Sequence, residues 1–149
     1  MKFNTNKDKK KKEKSKKYYI KLLDHWWSIQ IKTHDNYTCV WCGKKHNEII
    51  KKQISKDVFR DSKVMIQAAH IISRKKWSTK WDLDNGISLC AKCHLFTQPN
   101  APVEFTFLMI KLFGYKKLLN LIERSKKKVE YSLDEYIQMC RDRNLLKEK

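Results

Sequence analysis

Turn formers and acidic residues are scarce in this chain. Only three Gly and two Pro occur in 149 residues, which argues against a turn-rich all-β protein. No stretch approaches the roughly 18 consecutive apolar residues of a membrane span, and no apolar signal core opens the sequence. We therefore expect an unexported protein, cytoplasmic or nucleoid-associated, with no membrane partner. A secreted disulfide scaffold is disfavoured by pattern. Four of the five Cys fall in two CxxC pairs, which suits metal binding in a reducing compartment.

The shortage of acid leaves 34 Lys and Arg facing 16 Asp and Glu, a net charge of +18. A chain this basic repels itself unless a polyanion accepts the charge. DNA is the expected partner, since Lys and Arg displace its condensed counterions. Hydrophobic residues make up 41% of the chain, too many for full disorder and enough for one small core.

The charge is unevenly spread. Residues 2–17 hold nine Lys against Asp8 and Glu13 and have almost nothing to bury, so we expect a disordered tail over 1–17. Over 18–34, Ile20, Leu23, Trp26, Trp27 and Ile31 recur at helical spacing and predict an amphipathic helix with both Trp in the core. His25 and His34 lack ligand spacing and read as structural or exposed. A core region follows over 35–100. Within it residues 47–62 show no usable periodicity, and 63–72 (KVMIQAAHII) read as a short strand. A polar loop spans 73–84, and NGISLCAKCHLF reads as a turn and strand leading into a helix. Residues 101–149 form a helical extension. Pro102 starts one helix and Gly114 ends it, 115–126 continue helically, and Ser132 with Glu135 caps a last helix near Leu133. Cys140 falls inside that last helix and reads as buried rather than ligating. The fold class is α+β.

Cys39 and Cys42 form one CxxC pair, Cys90 and Cys93 the other. Each turn presents two thiolates on one side of a tight loop. Two such turns complete a tetrahedral site with no vacancy, which makes a structural Zn²⁺ the expected ion. The 47 intervening residues would be closed into a loop by that ion.

Within the loop and just past its second CxxC pair three residues stand out: His70, Asn85 and His94. Phosphodiester hydrolysis needs a base for water and a cation for the charge developing on phosphate. His70 suits the base. His94 suits a ligand to Mg²⁺ or another divalent cation. Asn85 can accept the ring N–H of the base and fix its tautomer. Between them Arg74, Lys75, Lys76 and Lys80 are expected to hold DNA phosphates. Trp77 and Trp81 either press on sugar or base, or seat the loop on the core.

The stretch AAHIISRKKWSTKWDLDNGISLCAKCH resembles the HNH family of nucleases, with flanking CxxC pairs as in the zinc-containing branch. The resemblance spans about residues 35–96. It implies a small ββα-metal core stapled by zinc and flanked by N- and C-terminal helices. It also implies His70 as base, Asn85 as its orienter and His94 as metal ligand. The run HIISR…WDLDNGISLC…CH, followed by PVEF, is more finely similar to phage NinG/Rap-type recombination nucleases. Where many family members carry an acidic residue or His just before the base, this chain has Ala69; Asp82 or Asp84 could stand in. The expected activity is metal-dependent DNA cleavage. The alternatives are a non-catalytic zinc-ribbon DNA-binding protein and a structure-selective nuclease acting on branched DNA. A lone domain would nick, and double-strand cutting would need a dimer or two events.

Overall fold

The computed structural model describes residues 14–146. The expected Lys-rich tail lies outside the described residues but for its last four. Two of these, Lys16 and Lys17, already belong to helix α1 (Lys16–His34). Tyr19, Leu23, Trp27 and Ile31 recur every fourth residue, so α1 buries one stripe.

Two hairpins follow. Strands β1 (Ile49–Ser55) and β2 (Val58–Lys63) pair antiparallel as a ribbon exposed along nearly its whole length. A ribbon wet on both faces needs no apolar alternation, so residues 47–62 carried no strand signal. Strands β3 (Ile66–His70) and β4 (Gly86–Cys90) pair in register from Ile66 opposite Cys90 to His70 opposite Gly86. Between them the polar loop makes two short 3₁₀ turns, Trp77–Thr79 and Leu83–Asn85. Beyond β4 a π-helical turn, Cys93–Thr97, runs into the short α2 (Gln98–Asn100).

The C-terminal elements start and stop where their caps dictate. Helix α3 (Pro102–Phe113) begins on proline and ends at Gly114, whose φ of 79° suits a residue without Cβ. Helix α4 (Tyr115–Ser125) follows directly. Helix α5 (Leu133–Arg141) opens with a reciprocal capping box between Ser132 and Glu135.

The β3–β4 hairpin separates two apolar clusters, because strand side chains alternate between faces. Ala69, Ile87 and Leu89 face a cluster with Cys39, Val64, Phe105 and Met109. Ala68 faces the other, where α1 meets Trp81, Tyr136 and Cys140. The Cys140 thiol lies 3.8 Å from the Tyr19 carbonyl, inside this second cluster. Helix α1 is also pinned to β4 by polar bonds. The Ser88 N–H donates to Asp35 at 2.6 Å, and the Ser88 hydroxyl to the Ile31 carbonyl at 3.4 Å.

Candidate active site and metal centre

Four thiols converge at one end of the β3–β4 hairpin. The first knuckle closes through Cys39 N–H to the Lys44 carbonyl and Gly43 N–H to the Cys39 carbonyl, both at 2.8 Å. Gly43, at φ 74°, lets the chain reverse there. Val40 N–H then bonds the Ser88 carbonyl at 2.9 Å, which lays the knuckle against β4. The second knuckle starts on the last residue of β4. As a result the sulfurs of Cys39, Cys42, Cys90 and Cys93 all lie within 4.8 Å of one another, with Cys42 and Cys90 3.7 Å apart. Metal–sulfur bonds of about 2.3 Å in a tetrahedron put the sulfurs roughly 3.8 Å apart, so the set is already shaped for an ion. Three of the four are buried and Cys42 is exposed.

Electrostatics within the cluster point the same way. Burial and the neighbouring thiols push the Cys93 thiol far above its usual range, and burial raises Cys42 as well. Cys90 is lowered. Burial opposes its ionisation, but the Cys93 N–H and the adjacent thiols outweigh that. A cluster of bare thiols thus resists full ionisation, whereas a bound dication draws thiolate from each.

At the other end of the hairpin, His70 closes β3. Its ring lies nearly flat on Trp27 of α1, with centroids 3.9 Å apart and planes at 14°. Gly86, directly across the ladder, makes room for this. A Cβ there would lie 2.7 Å from the Trp27 ring and closer still to Ile31. Nε2 of His70 sits 2.9 Å from the Lys80 carbonyl. A carbonyl only accepts, so Nε2 carries the proton and Nδ1 keeps its lone pair. Burial lowers the His70 pKa from the ordinary imidazole value; the Lys80 carbonyl and Asp24 oppose the shift, and Lys80 and Arg74 add to it. Burial thus favours the neutral form of the ring.

Asn85 does not touch this ring, contrary to the orienting bond expected for it. It is fully buried. Its Oδ1 accepts from Ile72 N–H at 2.7 Å, and its Nδ2 donates to the carbonyls of Ile72 and Thr79, each at 3.0 Å. The amide thus clasps both ends of the loop that follows His70. The bond to the base ring comes from the loop's backbone at Lys80 instead.

His94 stands on the π-helical turn, and its Nδ1 is 2.8 Å from Gln67 Oε1. That bond leaves Nε2 free, and burial lowers the pKa of this ring too. Gln67 and His70 point to opposite faces of β3, so the two imidazoles approach from different sides, with no contact between them. Gln98, one turn beyond His94, bridges the gap by donating to the His70 carbonyl at 3.3 Å.

The remaining expected ligands lie elsewhere. Ala69 is buried among the apolar side chains. Asp82 pairs with Arg124 at 2.8 Å, and Asp84 with Lys117 at 2.7 Å and Arg124 at 3.1 Å. These partners hold the Asp84 carboxyl below the usual range despite partial burial. Both acids thus fasten the loop to α4. Among the described residues, only the four cysteines bring three or more metal-ligating side chains together.

Lys80 also departs from expectation. It is 9% exposed, its ammonium is 3.1 Å from Asp24, and it lies 4.6 Å and 4.9 Å from the rings of Trp77 and Trp81. It anchors the loop to α1 rather than meeting phosphate. Arg74, Lys75 and Lys76 are exposed, as a phosphate-binding role requires. Trp81 seats the loop in the core, whereas Trp77 stays 38% exposed.

The hairpin thus has four clustered thiols at one end and runs into a helical turn, with an imidazole on each of the two elements. Residues 39–96 match the family described as HNH endonuclease. The match covers less than half of the chain. Comparison with curated proteins and with solved structures returns no match. Among the described residues no helix is long and apolar enough to cross a membrane.

Proposed function

We propose that the protein is a metal-dependent HNH endonuclease that hydrolyses phosphodiester bonds in DNA, with zinc as the structural ion of the four-cysteine site. The observation that carries this reading is the placement of His70: Nε2 fixed on the Lys80 carbonyl, which leaves Nδ1 for the proton of water, immediately ahead of an exposed basic loop. In the reaction, Nδ1 takes a proton from water as the water oxygen attacks phosphorus. The bridging P–O bond then breaks, and the leaving oxygen gains a proton from solvent. Arg74, Lys75 and Lys76 hold flanking phosphates. Asn85 acts at one remove, by holding the loop whose Lys80 carbonyl fixes the ring.

His94 Nε2 would hold a divalent cation, with Gln67 orienting its ring. When bound, the cation neutralises charge on the phosphate and the leaving oxygen.

One observation favours a second reading, a non-catalytic zinc-pinned DNA-binding protein: among the described residues, His94 belongs to no cluster of three or more metal-ligating side chains. A supercoiled plasmid separates the two. With Mg²⁺ or Mn²⁺ the wild type should give nicked circles, EDTA should stop the reaction, and His70→Ala should lower the rate at least a hundredfold with zinc content unchanged. Cutting by His70→Ala at the wild-type rate removes His70 as base. No cutting by wild type with either ion selects the second reading.

A further inference from the structure

We propose that the cleft between the loop after His70 and the α4–α5 connection seats a single strand of nucleic acid, so that the preferred substrate is DNA with an unpaired stretch. This deepens the DNA reading above and rests on it. The cleft, of about 1040 Å³, has Lys75 and Lys76 on one bank and Lys126, Lys127 and Lys128 on the other. Lys16, at the start of α1, adds a sixth ammonium, and Glu130 is the one acid lining it. All three lysines of the α4–α5 connection are exposed, and Lys126 alone of them is bridged, to Glu123 at 2.6 Å. Like charges crowded on facing banks repel one another until an anion enters between them.

Two features select a strand over a duplex. The charge lines both walls of a concave cleft rather than one open face, so phosphates must enter it rather than rest across it. Trp77 lines the same cleft and is 38% exposed. Trp81 and Tyr136 meet it edge-on and hold it upright. An indole among lysines is the combination that strand-tracking grooves use, the ammoniums following phosphates and the ring stacking an unpaired base. Because Lys75, Lys76 and Trp77 closely follow His70 in the chain, a strand held here leads toward the base.

The test measures binding with no Mg²⁺ or Mn²⁺ added, so that no cleavage occurs and the structural ion stays in place, by anisotropy of a labelled oligo(dT) and of a blunt duplex of equal length. Wild type should prefer oligo(dT). The triple variant Lys126→Gln/Lys127→Gln/Lys128→Gln should weaken oligo(dT) binding at least tenfold and flatten the salt dependence by about 2, from roughly 0.7 per phosphate contact on single strands. Trp77→Ala should weaken it about tenfold with the salt slope kept. Zinc content and Tm verify that each variant is folded. Wild-type oligo(dT) affinity in both variants, or a preference for duplex, overturns the proposal. Plasmid nicking is scored separately. A protein that never nicks yet loses oligo(dT) binding in the triple variant keeps this inference and loses the nuclease reading.

Discussion

The two faces of the β3–β4 hairpin are held by different physics. Toward the knuckles, Ile87, Leu89, Val64, Met109 and a Phe105 ring stacked on Trp41 pack around four thiols, with few side-chain hydrogen bonds among them. Toward α1, the packing is aromatic and richly hydrogen-bonded. Trp27 and Trp81 donate ring N–H groups to the Asp82 carbonyl at 3.0 Å and to Asp24 at 2.8 Å, and Trp81 and Tyr136 pack edge to face. The first face carries four thiols spaced for an ion, whereas the second packs self-sufficiently without such a ligand set. His94 belongs to the first and His70 to the second, so the site proposed above spans a boundary between two kinds of stability.

The sharpest way to break this comparison is to remove the ion. Chelation at neutral pH should abolish the cooperative transition of the knuckle face, since binding energy there is folding energy. Far-UV circular dichroism should retain α1 and α5 signal. Trp fluorescence should stay partly native, because Trp27 and Trp81 lie on the other face. An unchanged melting curve after exhaustive chelation would mean that the thiols pack adequately alone. Next in size comes Asn85→Ala. It strands the Ile72 N–H and carbonyl and costs the Thr79 carbonyl one of its two donors, the Asp82 N–H remaining, at about 3 kcal/mol in total. For a chain of this length that lowers Tm by about 10 °C, with zinc content unchanged. A variant that keeps its Tm and loses only turnover would restore Asn85 to a direct role at the base.

How much of this was legible beforehand depended on whether the signal was local. The CxxC spacing, the α1 stripe, Pro102 with Gly114, and the Ser132–Glu135 box are each written in a few neighbouring residues, and each is where expected, except that Tyr19 joins the α1 stripe while Ile20 and Trp26 are only half-buried. His70, Asn85 and His94 were visible as residues, but their partners were not. The Lys80 carbonyl, Gln67 and the Trp27 face reach these side chains only after β3, β4 and α1 have packed. Lys80 itself looked like one more loop cation. Nothing near it in sequence announces Asp24, 56 positions away. The β1–β2 ribbon escaped because it buries so little. The Lys126–Lys128 run was readable as charge, but only the fold brings it opposite Lys75 and Lys76.

The smallest expected effect tests the self-sufficient face most directly. His70 acts as a base only when neutral, so kcat/KM rises with pH until the ring has lost its proton and then levels. Its pKa is lowered, first by burial, so this acid limb should lie below the ordinary imidazole value near 6.5. Trp27→Leu keeps the position apolar but removes the flat cover. Water then reaches the ring, the charged form becomes less costly, and the limb should move up toward 6.5. At pH 8 both proteins carry a neutral ring, so their rates there differ only through positioning, while near pH 6 the variant falls further behind. Stability has a matching sign. A folded-state pKa below the unfolded one means that the contribution of neutral His70 is present above the unfolded value and is lost as pH falls through the folded one. The variant should therefore show a shallower loss of Tm between neutral and mildly acid pH than the wild type. A wild-type limb at or above 6.5, unmoved by Trp27→Leu, would show that the indole only packs and that solvent sets the titration of the base.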